Sequence, residues 1–276
     1  VNTYYIGADG SEPSRAAISW GLSRAAEDDS PAVLVNVVDD EWGLLGPSYA
    51  QDAERHASAL LAEELALAKK AHPRLDIGAI ILHGAPSWTL AALPLADDTL
   101  IVGTHKTGFL RGRVLGSRSV QIAAAAPCTV AVIPDTTFDT RRGVVVGVDR
   151  FEGSTSAVIR GAREADRLGQ ELILVHAPPT LCTGKASPEL PESADAAHLL
   201  LSEAAAVASA TAPGVVVRRR LVNRDPAEAL LDAGAGASLI VVGVSHPRGA
   251  TQSVIGSVTH DVLMNINVPI LIARPA

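Results

Sequence analysis

Thr99-Leu100-Ile101-Val102-Gly103-Thr104-His105-Lys106-Thr107-Gly108-Phe109-Leu110-Arg111-Gly112-Arg113-Val114-Leu115-Gly116-Ser117 is the stretch that decides how this 276-residue chain reads. It opens as a short apolar run, which predicts a buried strand. It passes through a glycine-rich loop and ends in Gly-Ser. Val120, Ile122 and an alanine run then predict a helix. A strand, a glycine loop and a helix N-terminus are the parts of an anion site. Glycine lets the backbone come close to a phosphate, and free N–H groups at the helix start point toward its charge. The same glycines also suit a plain strand-to-helix turn. The pattern is not a Walker loop, because Phe109-Leu110 follows Gly108 where that motif needs Lys-Ser/Thr.

The chain repeats the pattern. Ser238-Leu239-Ile240-Val241-Val242-Gly243 is a second apolar run, its loop passes Gly249, and it ends in Gly256-Ser257. Gly103 and Gly243 stand 140 positions apart, as do Gly116 and Gly256. Other landmarks keep this offset. Tyr4-Tyr5-Ile6-Gly7-Ala8-Asp9 answers to Val144-Val145-Val146-Gly147-Val148-Asp149, Val33–Val37 to Ile173–Ala177, and Pro86 to Pro226. The chain therefore reads as a duplication. Its expected domains are residues 1–137 and 141–276, joined through the polar stretch Pro134–Arg142.

Each half alternates strand and helix. Strands are expected near 3–8, 32–38, 77–82, 99–103 and 129–133, and near 143–148, 171–176, 215–222, 238–242 and 269–273. They are Val-, Ile- and Leu-rich with few charges, as strands covered on both faces tend to be. Helical spacing runs through 14–26, 50–71, 86–95 and 117–126 in the first half. The expected fold class is α/β, a doubly wound parallel sheet with helices on both faces in each domain. Residues 39–49 and 178–193 each leave the carboxyl end of a strand, where open α/β sheets bind ligands, and are candidate lids.

Composition narrows the function classes. Hydrophobic residues make up 47% and charged residues 19%, so each half can build a core. A net charge of −7 and an aromatic content of 3% argue against a nucleic-acid surface. No apolar run is of membrane-spanning length, and the N-terminus shows no basic segment followed by an apolar one. Cys128 and Cys182 form no CxxC pair, which suits a reducing compartment. The expectation is a cytoplasmic protein with neither a nucleic-acid nor a membrane partner. The histidines show no metal-ligand spacing, and Ser117 and Ser257 lie in no GxSxG elbow, so neither a metal site nor a catalytic residue is expected.

Asp9 and Asp149 follow Gly-x at the ends of the first strands. A carboxylate there can accept hydrogen bonds from a ribose, and it can equally cap the next helix. Taken together, Gly-x-Asp, the proline opening the third helix, Gly-x12-Gly-Ser and the closing Gly256–Leu263 and Val268–Ile272 resemble the universal stress protein family in tandem form. The resemblance implies five-stranded sheets of order 3-2-1-4-5. It also implies ATP, with or without Mg, at the switch point between strands one and four, and a regulatory stress role with at most slow ATP hydrolysis.

The implied nucleotide-binding residues are Asp9, Val38, Gly103, Lys106, Gly108, Gly116 and Ser117 in the first half. In the second they are Asp149, Gly243, Gly249, Gly256 and Ser257. Family members dimerise through the fifth strand. Thr129–Ile133 and Pro269–Ala273 would accordingly pair as an intrachain pseudo-dimer, with a homodimer as a further step. One departure stands out. The family's second loop glycine, three residues after the first, is Lys106 here and His246 in the second copy. Lys106 could meet a phosphate, helped by Arg111 and Arg113. The alternative is an interaction protein on the same fold whose ATP sites were lost through these two changes.

Overall fold

The computed structural model describes residues 2–39, 47–104, 118–135, 140–150, 152–178, 193–244 and 255–275. Lys106, Gly108, Gly116, Ser117, His246, Gly249 and Cys182 lie outside these residues, as does most of both candidate lids. The chain divides into two compact units, Val1–Thr136 together with Ala276, and Thr137–Pro275.

The first unit runs β1 (Tyr4–Gly7), α1 (Glu12–Glu27), β2 (Ala32–Val38), α2 (Pro47–Ala71), β3 (Ile77–His83), α3 (Pro86–Ala92), β4 (Thr99–Thr104), α4 (Arg118–Ala125) and β5 (Thr129–Pro134). The second runs β6 (Val144–Gly147), α5 (Glu152–Leu168), β7 (Leu172–His176), α6 (Ala194–Thr211), β8 (Val217–Leu221), α7 (Pro226–Gly234), β9 (Leu239–Gly243), α8 (Ser257–Met264) and β10 (Ile270–Ala273). Strand order is β3-β2-β1-β4-β5 in the first and β8-β7-β6-β9-β10 in the second, with every pairing described inside a unit parallel. This is the expected doubly wound α/β class, with 3-2-1-4-5 order in each unit.

The duplication extends to register. Tyr4 pairs with Ala32 and Thr99, and Val144 pairs with Leu172 and Leu239, each 140 positions on. Ala32 opposite Ile77 becomes Leu172 opposite Val217, and Leu100 opposite Val130 becomes Ile240 opposite Ile270. A slip of one residue would turn each apolar set to the other face, so the matched register means that the two cores are built alike. Ile6, Leu34, Leu100 and Ile101 fill the first; Leu172, Leu174, Leu239 and Ile240 fill the second; all are fully buried.

Right-handed crossovers put α1 and α2 on one face of the first sheet and α3 and α4 on the other. The Arg15 guanidinium of α1 donates to the buried Glu64 carboxylate of α2 at 2.9 Å, which ties the first pair together. The helices differ from expectation at their ends. Helix α1 begins at Glu12, because the Ser11 hydroxyl caps it by accepting from the Ser14 N–H. Helix α3 stops at Ala92 instead of Leu95, since Pro94 has no N–H with which to continue it.

The outer strands of the two sheets differ. On β8, Arg218, Arg219 and Arg220 are all exposed, with Arg218 paired to Glu171 at 2.6 Å and Arg219 bonded to the Ser202 hydroxyl at 2.7 Å. The same positions on β3 are Gly78, Ala79 and Ile80, all half-buried.

Candidate functional site

The crevice of interest opens where the chain reverses its order of travel across the sheet. Strand β2 lies on one side of β1 and β4 on the other, so the connections leaving β1 and β4 diverge and leave a gap at their carboxyl ends. In the second unit β6 and β9 repeat the arrangement.

Asp9 stands just past β1 and is exposed, while Asp149 stands just past β6 and is half-exposed. The backbone before each carboxylate is held at both ends of one peptide group. The last strand-like bond runs from the Ala8 N–H to the Val35 carbonyl at 2.8 Å. The next peptide joins Ala8 to Asp9. Its carbonyl accepts from Nδ2 of Asn36 on β2 at 2.6 Å. Its N–H donates to the Ser14 hydroxyl at 3.1 Å, and that hydroxyl donates in turn to the Gly7 carbonyl at 3.1 Å.

The second unit repeats the clamp with one change. The Val148 carbonyl accepts from Nδ1 of His176 at 2.7 Å, and the Asp149 N–H donates to the Ser154 hydroxyl at 3.0 Å. A carbonyl can only accept, so His176 carries its proton on Nδ1.

Asp9 is not the helix cap that its position allowed. Ser11 holds that place, and the Asp9 carboxylate accepts from the Ser11 N–H at 3.0 Å and from its hydroxyl at 2.6 Å. It braces the cap and still faces solvent. Val38 ends β2 with its side chain buried, and its carbonyl accepts from the Gly84 N–H at 3.1 Å.

Gly103 and Gly243 lie near the ends of β4 and β9, each against the first turn of the helix that follows the aspartate. Thr104 receives a hydroxyl bond from Ser119 on α4 at 3.1 Å, and Thr259 on α8 donates to the Gly243 carbonyl at 3.4 Å. Each of these helices is therefore pinned to the strand that precedes it. Gly256 is the N-cap of α8 and supplies no side-chain bond; Ser257 opens the helix and is exposed. Among the described residues no side chain caps the first N–H groups of this helix.

The structure brings Asp9 together with Gly103, and Asp149 with Gly243, around strand ends that are neighbours in the sheet. It adds residues that sequence reading did not single out: Asn36, His176, Ser14 and Ser154. Ser14 and Ser154 were detectable as identical residues at the 140 offset. Asn36 and His176 show in sequence only as polar breaks in apolar strands. Arg150, exposed beside Asp149, stands where the first unit has Gly10. Among the described residues no group of three or more His, Cys, Asp or Glu side chains could hold a metal.

Comparison with known proteins agrees with this fold. The pattern described as the Universal stress protein family matches residues 5–134 and again residues 140–274. The chain is 32% identical over 287 residues to Universal stress protein Rv2005c of Mycobacterium tuberculosis, covering 98% of this chain and 96% of that one. It is 29% identical over 286 residues to a universal stress protein of Mycolicibacterium smegmatis, with the same coverage. Among solved structures, a universal stress protein from Archaeoglobus fulgidus is similar over 100% of this chain and 97% of its own, with a TM-score of 0.76 at 16% identity.

Proposed function

The chain belongs to the universal stress protein family, and on that footing we propose that it binds an adenine nucleotide, ATP first, at the switch point of each unit. It acts as a regulatory stress-response protein with at most slow ATP hydrolysis. The observation that carries the reading is the clamped peptide before Asp9 and Asp149. A carboxylate at a strand end, set on a fixed backbone beside the strand that feeds a glycine loop, suits a ribose hydroxyl. The phosphates would then lie toward Gly116-Ser117 and Gly256-Ser257, where helix N-termini favour negative charge.

A cytoplasmic setting fits the buried, reduced thiol of Cys128, which donates to the Thr129 carbonyl, and no helix among the described residues is long and apolar enough to cross a membrane. Assembly into a homodimer is part of the same proposal. One observation favours a second reading: Lys106 and His246 stand where the family pattern has glycine. Side chains there would block close approach by a phosphate and leave an interaction protein on the same fold.

The test is mass spectrometry of the purified protein for carried adenine nucleotide, followed by calorimetry with ATP, AMP and adenosine. Binding of ATP is the expected result. No binding of any of the three at millimolar concentration would transfer the case to the interaction protein.

A further inference from the structure

Asn36 and His176 occupy one position, 140 residues apart, and are chemically different, yet they make the same bond. Their neighbours two residues back, Leu34 and Leu174, are fully buried and apolar. His176 is itself only 4% exposed. A polar side chain in that setting is retained at a cost unless its hydrogen bond serves a purpose. What Asn and the Nδ1–H form of His share is an N–H donor able to reach the carbonyl across the strand gap.

The carbonyl they hold and the N–H held by Ser14 or Ser154 belong to the same peptide group. A peptide group is planar. Fixing its oxygen from β2 and its nitrogen from α1, or from β7 and α5, therefore fixes the plane. The next atom along is the Cα that bears the Asp9 or Asp149 carboxylate. With the plane fixed, the carboxylate swings only about the remaining soft torsions of its own residue.

We infer that Asn36 and His176 are positioning residues that aim the Asp9 and Asp149 carboxylates, and that they thereby set the preference of each site for a ligand carrying ribose hydroxyls. The inference rests on the nucleotide reading above and adds to it the residues that create the preference. Neither side chain touches the ligand; each acts through the aspartate.

The experiment compares ATP with 2′,3′-dideoxy-ATP by calorimetry on the full chain. Three proteins are used: wild type, N36L/H176L, which removes both donors, and N36H/H176N, which exchanges them. Wild type should prefer ATP by about tenfold, the size of one hydrogen bond to a charged group. The leucine variant should lose that preference by weakening ATP while leaving dideoxy-ATP within about twofold. The exchange variant, with both donors present, should keep the wild-type ratio. Should the leucines unfold the chain, threonine at both positions, too short to reach the carbonyl, carries the same comparison.

A leucine or threonine variant that keeps the ratio, or that loses both ligands equally, overturns the inference and leaves the nucleotide reading standing. So does a wild type that binds both ligands equally. A wild type that binds neither overturns both.

Discussion

Gly103 lies directly against the first turn of α1: a Cβ placed on it would stand 2.6 Å from the Ser14 amide nitrogen and closer still to the Pro13 carbonyl. Gly243 bears the same relation to Gly153 and Ser154 in the second unit. The glycine that opens each loop is thus required by helix packing before any ligand is considered. Gly103→Ala must push α1 away from β4 and should cost about 1–3 kcal/mol, as overpacking does. Gly243→Ala should behave alike. Urea unfolding measures both, and an unchanged midpoint would show that the first turn yields freely.

Ser14 and Ser154 are buried, and each accepts from the N–H that precedes a carboxylate. Ser14→Ala leaves the Asp9 N–H and the Gly7 carbonyl without this partner. It should destabilise by about 1–3 kcal/mol, the range for an orphaned buried polar group. The unfolding midpoint should fall with no change in slope.

The third helices offer a test inside one molecule. Asp225 caps α7 by accepting from the Ala227 and Glu228 N–H groups at 2.9 and 3.2 Å. Its counterpart at the start of α3 is Ala85, which makes no cap bond. Asp225→Ala should cost about 1 kcal/mol and Ala85→Asp should gain a similar amount. Thermal melts of the two variants should move in opposite directions.

For the nucleotide, Gly116→Glu sets a negative side chain where phosphates would approach and should weaken ATP at least about tenfold. Lys106→Ala should weaken ATP more than adenosine if the lysine meets a phosphate, and neither if it is solvated. Asp9→Ala should weaken all three ligands that carry ribose, ATP, AMP and adenosine, to a similar degree. Calorimetry on these variants separates the three contacts.

The architecture was legible because apolar runs, turn residues and a constant offset are local properties that a core must respect. The strand positions follow from them to within a residue or two. Strand order came from the likeness of Gly-x-Asp and Gly-x12-Gly-Ser to a known family. The clamp on the strand-end peptide was not legible, for a physical reason. A hydrogen bond needs a donor at the right place and not a particular residue, so Asn36 and His176 satisfy it without resembling each other. A comparison by identity passes over such a pair. The role of Asp9 was undecided for a similar reason. Cap and ribose acceptor make the same demand of a carboxylate, and only the presence of Ser11 in the cap position frees Asp9 from the first.

The three arginines on β8 have a bearing on what happens when the protein is damaged. An outer strand offers unpaired N–H and C=O groups to any other strand, and charge is the common protection. Two β8 strands brought edge to edge would set guanidinium groups against one another. Strand β3 carries Gly78, Ala79 and Ile80 at those places and has no such repulsion. When heat or mutation loosens the first unit, the outer edge of β3 is open to aggregation, whereas in the second unit the outer edge of β8 resists it. Two units of one backbone plan thus differ in solubility once opened, and precipitation should begin with the first.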